Sequence, residues 1–351
     1  MFYSFTDSYA DQPKYIAQEI IRRGLPYELV WVSLKKKVVA PAEIRTVCGR
    51  AKAWRELSTS QLIISNSRLG KYFKHGYAKK PGQFYIQTWH GSFGIKKMEG
   101  DAHELRNSYL EKAKLDSKHI DYLLSNSRWL SDVMRGCFFY DGPILETGSP
   151  RNDPLFAADK AARAEATRRA LGLPEGVKTA LYAPTFRAEG IERFERMDYQ
   201  QVQEALQEKF GGKWCVITRL HPGHGGERLR WLTKGVVDAS HYPDMTELLL
   251  LADLMVSDYS SCLFDYLLTG KPAFCYAPDR QEYELQRGLY YPLSDTPMPI
   301  AENNAQLIDA IHNFDAQRYA DETIRFIRDK GSAEDGHAAE RVADLIEKLL
   351  G

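Results

Sequence analysis

Phe84-Tyr85-Ile86-Gln87-Thr88-Trp89-His90-Gly91-Ser92-Phe93-Gly94 is an alternating apolar run that ends in a histidine followed by two glycines. Such a run reads as a buried strand, and the glycines mark the loop beyond its carboxyl end. In open parallel sheets that end is where ligands bind, and a neutral imidazole placed there is well suited to take a proton near pH 7. A histidine alone is more often structural or solvated than catalytic. The reading therefore rests on what accompanies His90.

Upstream, strands are expected at residues 2–5, 28–32 and 61–65, with helices opening at Pro13 and spanning 50–57. Downstream come a polar helix at 102–117, a strand at 122–125, a helix at 128–136 and a strand at 144–147. Gly148-Ser149-Pro150-Arg151-Asn152-Asp153-Pro154 punctuates the chain, and the alternation then restarts. Strands at 179–185, 213–220, 254–257 and 272–276 alternate with helices at 200–210, 245–252 and 260–269, and the tail 305–350 is helical. Strand–helix alternation means βαβ units and parallel sheets. The expected fold is α/β, two doubly wound Rossmann-like domains facing each other across a cleft. Their expected bounds are 1–150 for the first and 151–330 for the second, with a C-terminal helix, 331–351, packing back on the first.

Composition sets limits. The 351 residues, 44% hydrophobic and 27% charged, have room for two cores and no apolar run long enough to cross a membrane. The start, MFYSFTDSYADQ, is no secretory signal. Five scattered cysteines without CxxC spacing argue for a reducing cytoplasm and against zinc. Net charge is zero, yet residues 1–150 hold 23 Lys and Arg against 15 Asp and Glu. That excess suits an anionic acceptor or membrane surface. The segment 68–80 concentrates it, with lysines interleaved among Tyr72, Phe73 and Tyr77, and reads equally as a headgroup interface or as a solvated loop.

Three strand ends of the second half carry phosphate chemistry. Arg219 and His221 lie two residues apart at the end of one strand, so they share a face, and both can donate to phosphate oxygens. Ser257-Asp258-Tyr259-Ser260-Ser261 is a strand end running into a helix start, where Ser260, Ser261 and the backbone suit a phosphate, and Asp265, one turn on, reads either as a ribose contact or as a solvated side chain. Thr185 and Arg187 add a hydroxyl and a guanidinium. Together they describe a pocket for a nucleoside diphosphate. No GxxxxGK[ST] or strand-linked GxGxxG is present, so the usual ATPase and dinucleotide sites are excluded, and no nucleic-acid partner is expected.

These blocks, in order, resemble the CDP-glycerol glycerophosphotransferases of teichoic-acid and related polymer synthesis. The likeness runs through Asp11-Gln12-Pro13-Lys14-Tyr15, Gln87-Thr88-Trp89-His90-Gly91 with Lys96-Lys97 behind it, and Gly148 to Asp153. It continues through Tyr182 to Arg187, Arg219-Leu220-His221-Pro222 and Ser257 to Ser261. Gln12 stands where Asn is usual, Phe186 where Trp is common, and Ser92-Phe93-Gly94 where Thr-Pro is frequent. The resemblance implies a GT-B architecture with the acceptor in the first domain and the donor in the second. It implies that an acceptor hydroxyl attacks the β-phosphorus of CDP-glycerol or CDP-ribitol and releases CMP. His90 is the expected base, with His221 as second catalytic histidine; Thr185, Arg187, Arg219, His221, Asp258, Ser260, Ser261 and Asp265 are expected at the donor. Lys96 and Lys97 are expected near acceptor or phosphate, and no metal or other cofactor is required. The acceptor would be lipid-linked or polymeric, met in the cytoplasm or at the inner face of an anionic membrane. Two alternatives remain: a GT-B glycosyltransferase using a nucleotide sugar, and a non-catalytic membrane- or polysaccharide-binding protein.

Overall fold

The computed structural model describes residues 1–103, 105–185, 187, 196–220 and 235–351. Seven strands form one parallel sheet: β1 (Phe2–Tyr3), β2 (Leu29–Ser33), β3 (Ile44–Cys48), β4 (Leu62–Ser65), β5 (Phe84–Gln87), β6 (Tyr122–Ser125) and β7 (Ile144–Glu146), in the order 3-2-1-4-5-6-7. Six form another: β8 (Lys178–Tyr182), β9 (Trp214–Thr218), β10 (Val236–Asp238), β11 (Leu254–Ser257), β12 (Ala273–Tyr276) and β13 (Ile300–Ala301), in the order 10-9-8-11-12-13. Both are doubly wound, and the strand order reverses between β1 and β4 in the first and between β8 and β11 in the second.

Two compact units contain these sheets. The first comprises Met1–Phe93, Met98–Ala157 and Lys330–Gly351; the second comprises Gly94–Lys97 and Ala158–Asp329. Four residues directly after the histidine loop thus belong to the second unit, which nothing in their sequence announces.

The first sheet is buried on both faces, as βαβ crossovers require. Alternate residues take opposite sides. Tyr3, Val32, Ile63, Tyr85 and Leu123 pack with Leu57, Leu130 and Met134, while Phe2, Trp31, Ile64, Ile86 and Leu124 pack with Ile16, Ile20, Val342 and Ile346. The last two come from the C-terminal helix Ala338–Leu350, which Arg23 ties to Asp344 and Glu347. Three strands that sequence reading missed, β3, β10 and β13, are all sheet edges. An edge strand needs no continuous apolar run, and β3 carries Arg45 paired to Glu56 and Glu28.

The segment 68–80 is not an aromatic membrane face. Tyr72, Phe73 and Tyr77 are core residues, Phe73 stacks on His119 at 3.9 Å, and Lys79 is bonded to Asp121. Arg68 is buried between Glu99 and Asp116, each at 3.2 Å. The helix expected at 102–117 begins later, at Asn107.

The Gly148–Asp153 block anchors the returning C-terminal segment. The Asp153 carboxylate accepts from the backbone N–H groups of Ala338 and Ala339, capping the last helix, and Glu334 accepts from Asn126, Asn152 and the Ser149 N–H. Gly148 has φ +80°, and a Cβ there would stand 2.9 Å from the Ala333 carbonyl oxygen. Gly148→Ala is therefore expected to cost about 1–3 kcal/mol, from left-handed strain plus the clash. Urea unfolding followed by circular dichroism checks it.

Candidate active site

His90 lies at the switch point of the first sheet, where chains leaving β1, β4 and β5 meet. Its Nδ1 is 2.7 Å from the Asn66 carbonyl oxygen. A carbonyl can only accept, so Nδ1 carries the proton and Nε2 of the neutral ring holds a lone pair. No hydrogen bond among the described residues occupies Nε2. The imidazole is flanked by Phe5 at 4.7 Å and Trp89 at 4.2 Å. Burial lowers its pKa below the ordinary 6.5; the Asn66 hydrogen bond and Asp11 oppose this in part, and Arg151 adds to it. The ring is thus held neutral, in the tautomer a general base needs.

The surrounding sequence makes that placement rigid. Trp89 adopts φ +55°, a costly left-handed conformation for a bulky residue. It is held by the Trp89 N–H donating to Gln87 Oε1 and by the indole packing edge-on against Phe138. Gln87 is itself fixed through its amide to Tyr85 Oη and the Ser67 carbonyl. Gly91 is required because a Cβ there would lie 2.9 Å from Trp89 Nε1. Arg151 donates to the His90 carbonyl at 2.7 Å and pairs with Asp11, while its backbone N–H donates to Gln12 Oε1. Three separated sequence blocks therefore meet behind one imidazole.

In the second unit the switch point is occupied by Asp258. Its carboxylate accepts from the Thr185 N–H at 3.0 Å, the Thr185 hydroxyl at 2.5 Å, Arg187 Nη2 at 2.9 Å and the Tyr259 N–H at 2.7 Å. Arg187 also pairs with Asp279 through Nε and Nη2, donates from Nη1 to the Thr185 carbonyl, and lies over the rings of Tyr259 and Tyr283, which stack at 3.8 Å. Asp258, Thr185 and Arg187 thus bond to one another, and this network fixes the ends of β8 and β11.

Ser260 begins the helix Ser261–Leu267 with its hydroxyl 3.0 Å from Cys262 Sγ, not on the helix N–H groups. Asp265 is buried within that helix, not solvated. Arg219 donates to the Pro243 carbonyl; burial pushes the Cys262 thiol up, with Ser260 and, less, Arg219 opposing, which places Arg219 near the helix start. His221 lies outside the described residues. Lys96 and Lys97 stand in the second unit: Lys96 bridges Leu289 in antiparallel fashion and the Lys97 N–H donates to the Gly288 carbonyl. Burial pushes the Lys96 ammonium down to about 8, with Asp258 opposing and Arg287 and Arg187 reinforcing.

Sequence reading missed Asn66, Phe5, Asp279 and Tyr283. Asn66 directly follows an apolar strand, and Phe5 ends the strand expected at 2–5; those positions were the available signal. Asp279 and Tyr283 become visible only through Arg187. Among the described residues no group of three His, Cys, Asp or Glu is disposed to hold a metal, and no helix is long and apolar enough to cross a membrane.

Two doubly wound, Rossmann-like units are the parts of the GT-B fold class. The chain belongs to the CDP-glycerol:poly(glycerophosphate) glycerophosphotransferase family, whose model it matches over residues 1–348. It is 30% identical to the teichoic acid poly(glycerol phosphate) polymerase of Staphylococcus epidermidis, over 97% of this chain and 49% of that protein. It is 31% identical to the teichoic acid glycerol-phosphate transferase of Staphylococcus aureus, over 85% of this chain and 77% of that one. The solved wall teichoic acid polymerase TagF superposes with TM-score 0.85 and 28% identity, covering 99% of this chain and 88% of that one. The chain thus spans about half the length of the Staphylococcus epidermidis polymerase.

Proposed function

We propose that the protein transfers glycerol phosphate from CDP-glycerol to an acceptor hydroxyl in the synthesis of a teichoic-acid-like or capsular polymer. The acceptor oxygen attacks the β-phosphorus, and its proton passes to His90 Nε2. The bond from that phosphorus to the bridging oxygen breaks, and CMP leaves with the electron pair. The product is a phosphodiester. The observation that carries the reading is the His90 tautomer: Nδ1 is committed to a carbonyl, so the neutral ring can only accept at Nε2. The donor is assigned to the second unit, where Arg219, the Ser260–Ser261 helix start and His221 would stabilise phosphoryl charge as it develops. Glycerol is preferred over ribitol because both curated relatives described above are named for glycerol phosphate.

The acceptor class we favour is a polymeric or lipid-linked polyol phosphate presented at the inner face of the cytoplasmic membrane. In this reading protein cations carry the phosphate charge that a metal ion carries elsewhere. The test is CMP release from CDP-glycerol and CDP-ribitol, with and without a glycerol-phosphate-primed acceptor, in EDTA. Acceptor-dependent release of CMP from CDP-glycerol, undiminished by EDTA, is expected. Release of a nucleoside diphosphate from a nucleotide sugar would establish glycosyl transfer in its place.

A further inference from the structure

The polar side chains at the second unit's switch point are largely committed to one another. Arg187 cannot turn to a ligand without stripping partners from the buried carboxylates of Asp258 and Asp279, and removing one member of such a pair is strongly unfavourable. Lys96 differs. Among the described residues its ammonium has neither a hydrogen bond nor an ion pair, although the residue is half-buried. Its backbone is pinned on both sides: the Lys97 N–H donates to the Gly288 carbonyl, the Tyr290 N–H donates to the Ile95 carbonyl, and Ile95 is wholly buried. Gly94, two residues earlier, packs at van der Waals distance from Ser261 at the helix start. The groups facing Lys96 are Asp258, Arg187, Arg287 and the Cys262 thiol. Arg187 is shared by two carboxylates, Asp258 and Asp279, and Asp258 is already taken by its own donors, so the Lys96 charge is left without a direct counterion among the described residues. A fixed, partly desolvated cation in that position favours an anion.

We infer that Lys96 forms a direct ion pair with the diphosphate of the donor nucleotide, on the second unit. The inference deepens the donor reading above and rests on it. Of the two places expected for Lys96, acceptor or phosphate, it takes the second. The chain carries the base and this cation six residues apart, one on each unit.

Isothermal titration with CDP-glycerol between pH 7 and 9.5 tests it on the full chain, using wild type, Lys96→Met and Lys96→Arg, with urea midpoints as a check on folding. Loss of a charge-assisted contact predicts an affinity about 10–100-fold weaker for Lys96→Met at pH 7, with Lys96→Arg retaining most of it. Wild-type affinity is expected to fall above pH 8 as Lys96 loses its proton, and Lys96→Met is expected to lose that pH dependence. Wild-type affinity in Lys96→Met, or a wild-type pH slope in it, overturns the assignment to Lys96 and leaves the donor reading intact. Failure of the wild type to bind CDP-glycerol overturns the donor reading itself, and the Lys96 pair with it.

Discussion

His90→Ala is expected to lower acceptor-dependent CMP release by ~10²–10⁴-fold, the usual contribution of a positioned general base, while CDP-glycerol still binds. The expectation has two parts because the imidazole belongs to the first unit and the donor site is assigned to the second. Losing the base should slow the chemical step and spare donor affinity. The pH profile gives an independent reading. A base works only when deprotonated, and burial holds the His90 pKa below 6.5. Rate should therefore be level above neutrality and fall as pH drops through a value under 6.5. In His90→Gln, which keeps a polar side chain but cannot titrate, the acid limb should vanish along with most of the activity. Steady-state CMP release between pH 5 and 8.5, with donor titration on the same samples, checks both. An acid limb that survives in His90→Gln would assign it to another group and remove His90 as the base.

Much of this site was legible in the chain because strand ends announce themselves. An apolar run that halts at His90, or at Arg219, or at Ser257-Asp258, tells which residues emerge at the sheet edge, and period-two alternation needs no coordinates. The two sheets followed from the same signal, and the edges β3, β10 and β13 escaped because half-exposed strands of two to five residues lack it. What a single chain cannot display is how polar groups are shared. That Arg187 and Thr185 are held by Asp258 and Asp279 is invisible in the sequence, and Lys96 looks like a first-domain residue until its backbone is found bridged to Leu289. The tautomer of His90 depends on a backbone carbonyl of Asn66, an atom every residue possesses. Sequence can nominate the imidazole, but only packing decides which nitrogen is left to accept.

Asp258→Asn should damage the donor half more than its size suggests. The aspartate has two oxygens facing only donors: Oδ1 takes the Thr185 N–H and hydroxyl and the Tyr259 N–H, and Oδ2 takes the Thr185 N–H and Arg187 Nη2. An amide must turn its NH2 toward one of these sets, so donor meets donor in either orientation. The substitution also removes a charge from beside Arg187, whose guanidinium is nearly buried and would then rely on Asp279 alone. Breaking a buried pair on one side costs about 3–5 kcal/mol, and the second unit is expected to lose stability on that scale. The loops after β8 and β11, which carry Thr185 and Ser260, should lose their fixed spacing as well. Donor affinity should therefore fall together with the urea midpoint, unlike His90→Ala, which spares donor affinity, and unlike Lys96→Met, which spares the midpoint. Urea denaturation paired with CDP-glycerol titration separates the three. Should Asp258→Asn keep its midpoint and still lose the donor, the carboxylate would be a ligand contact and not the strut that the hydrogen bonds describe.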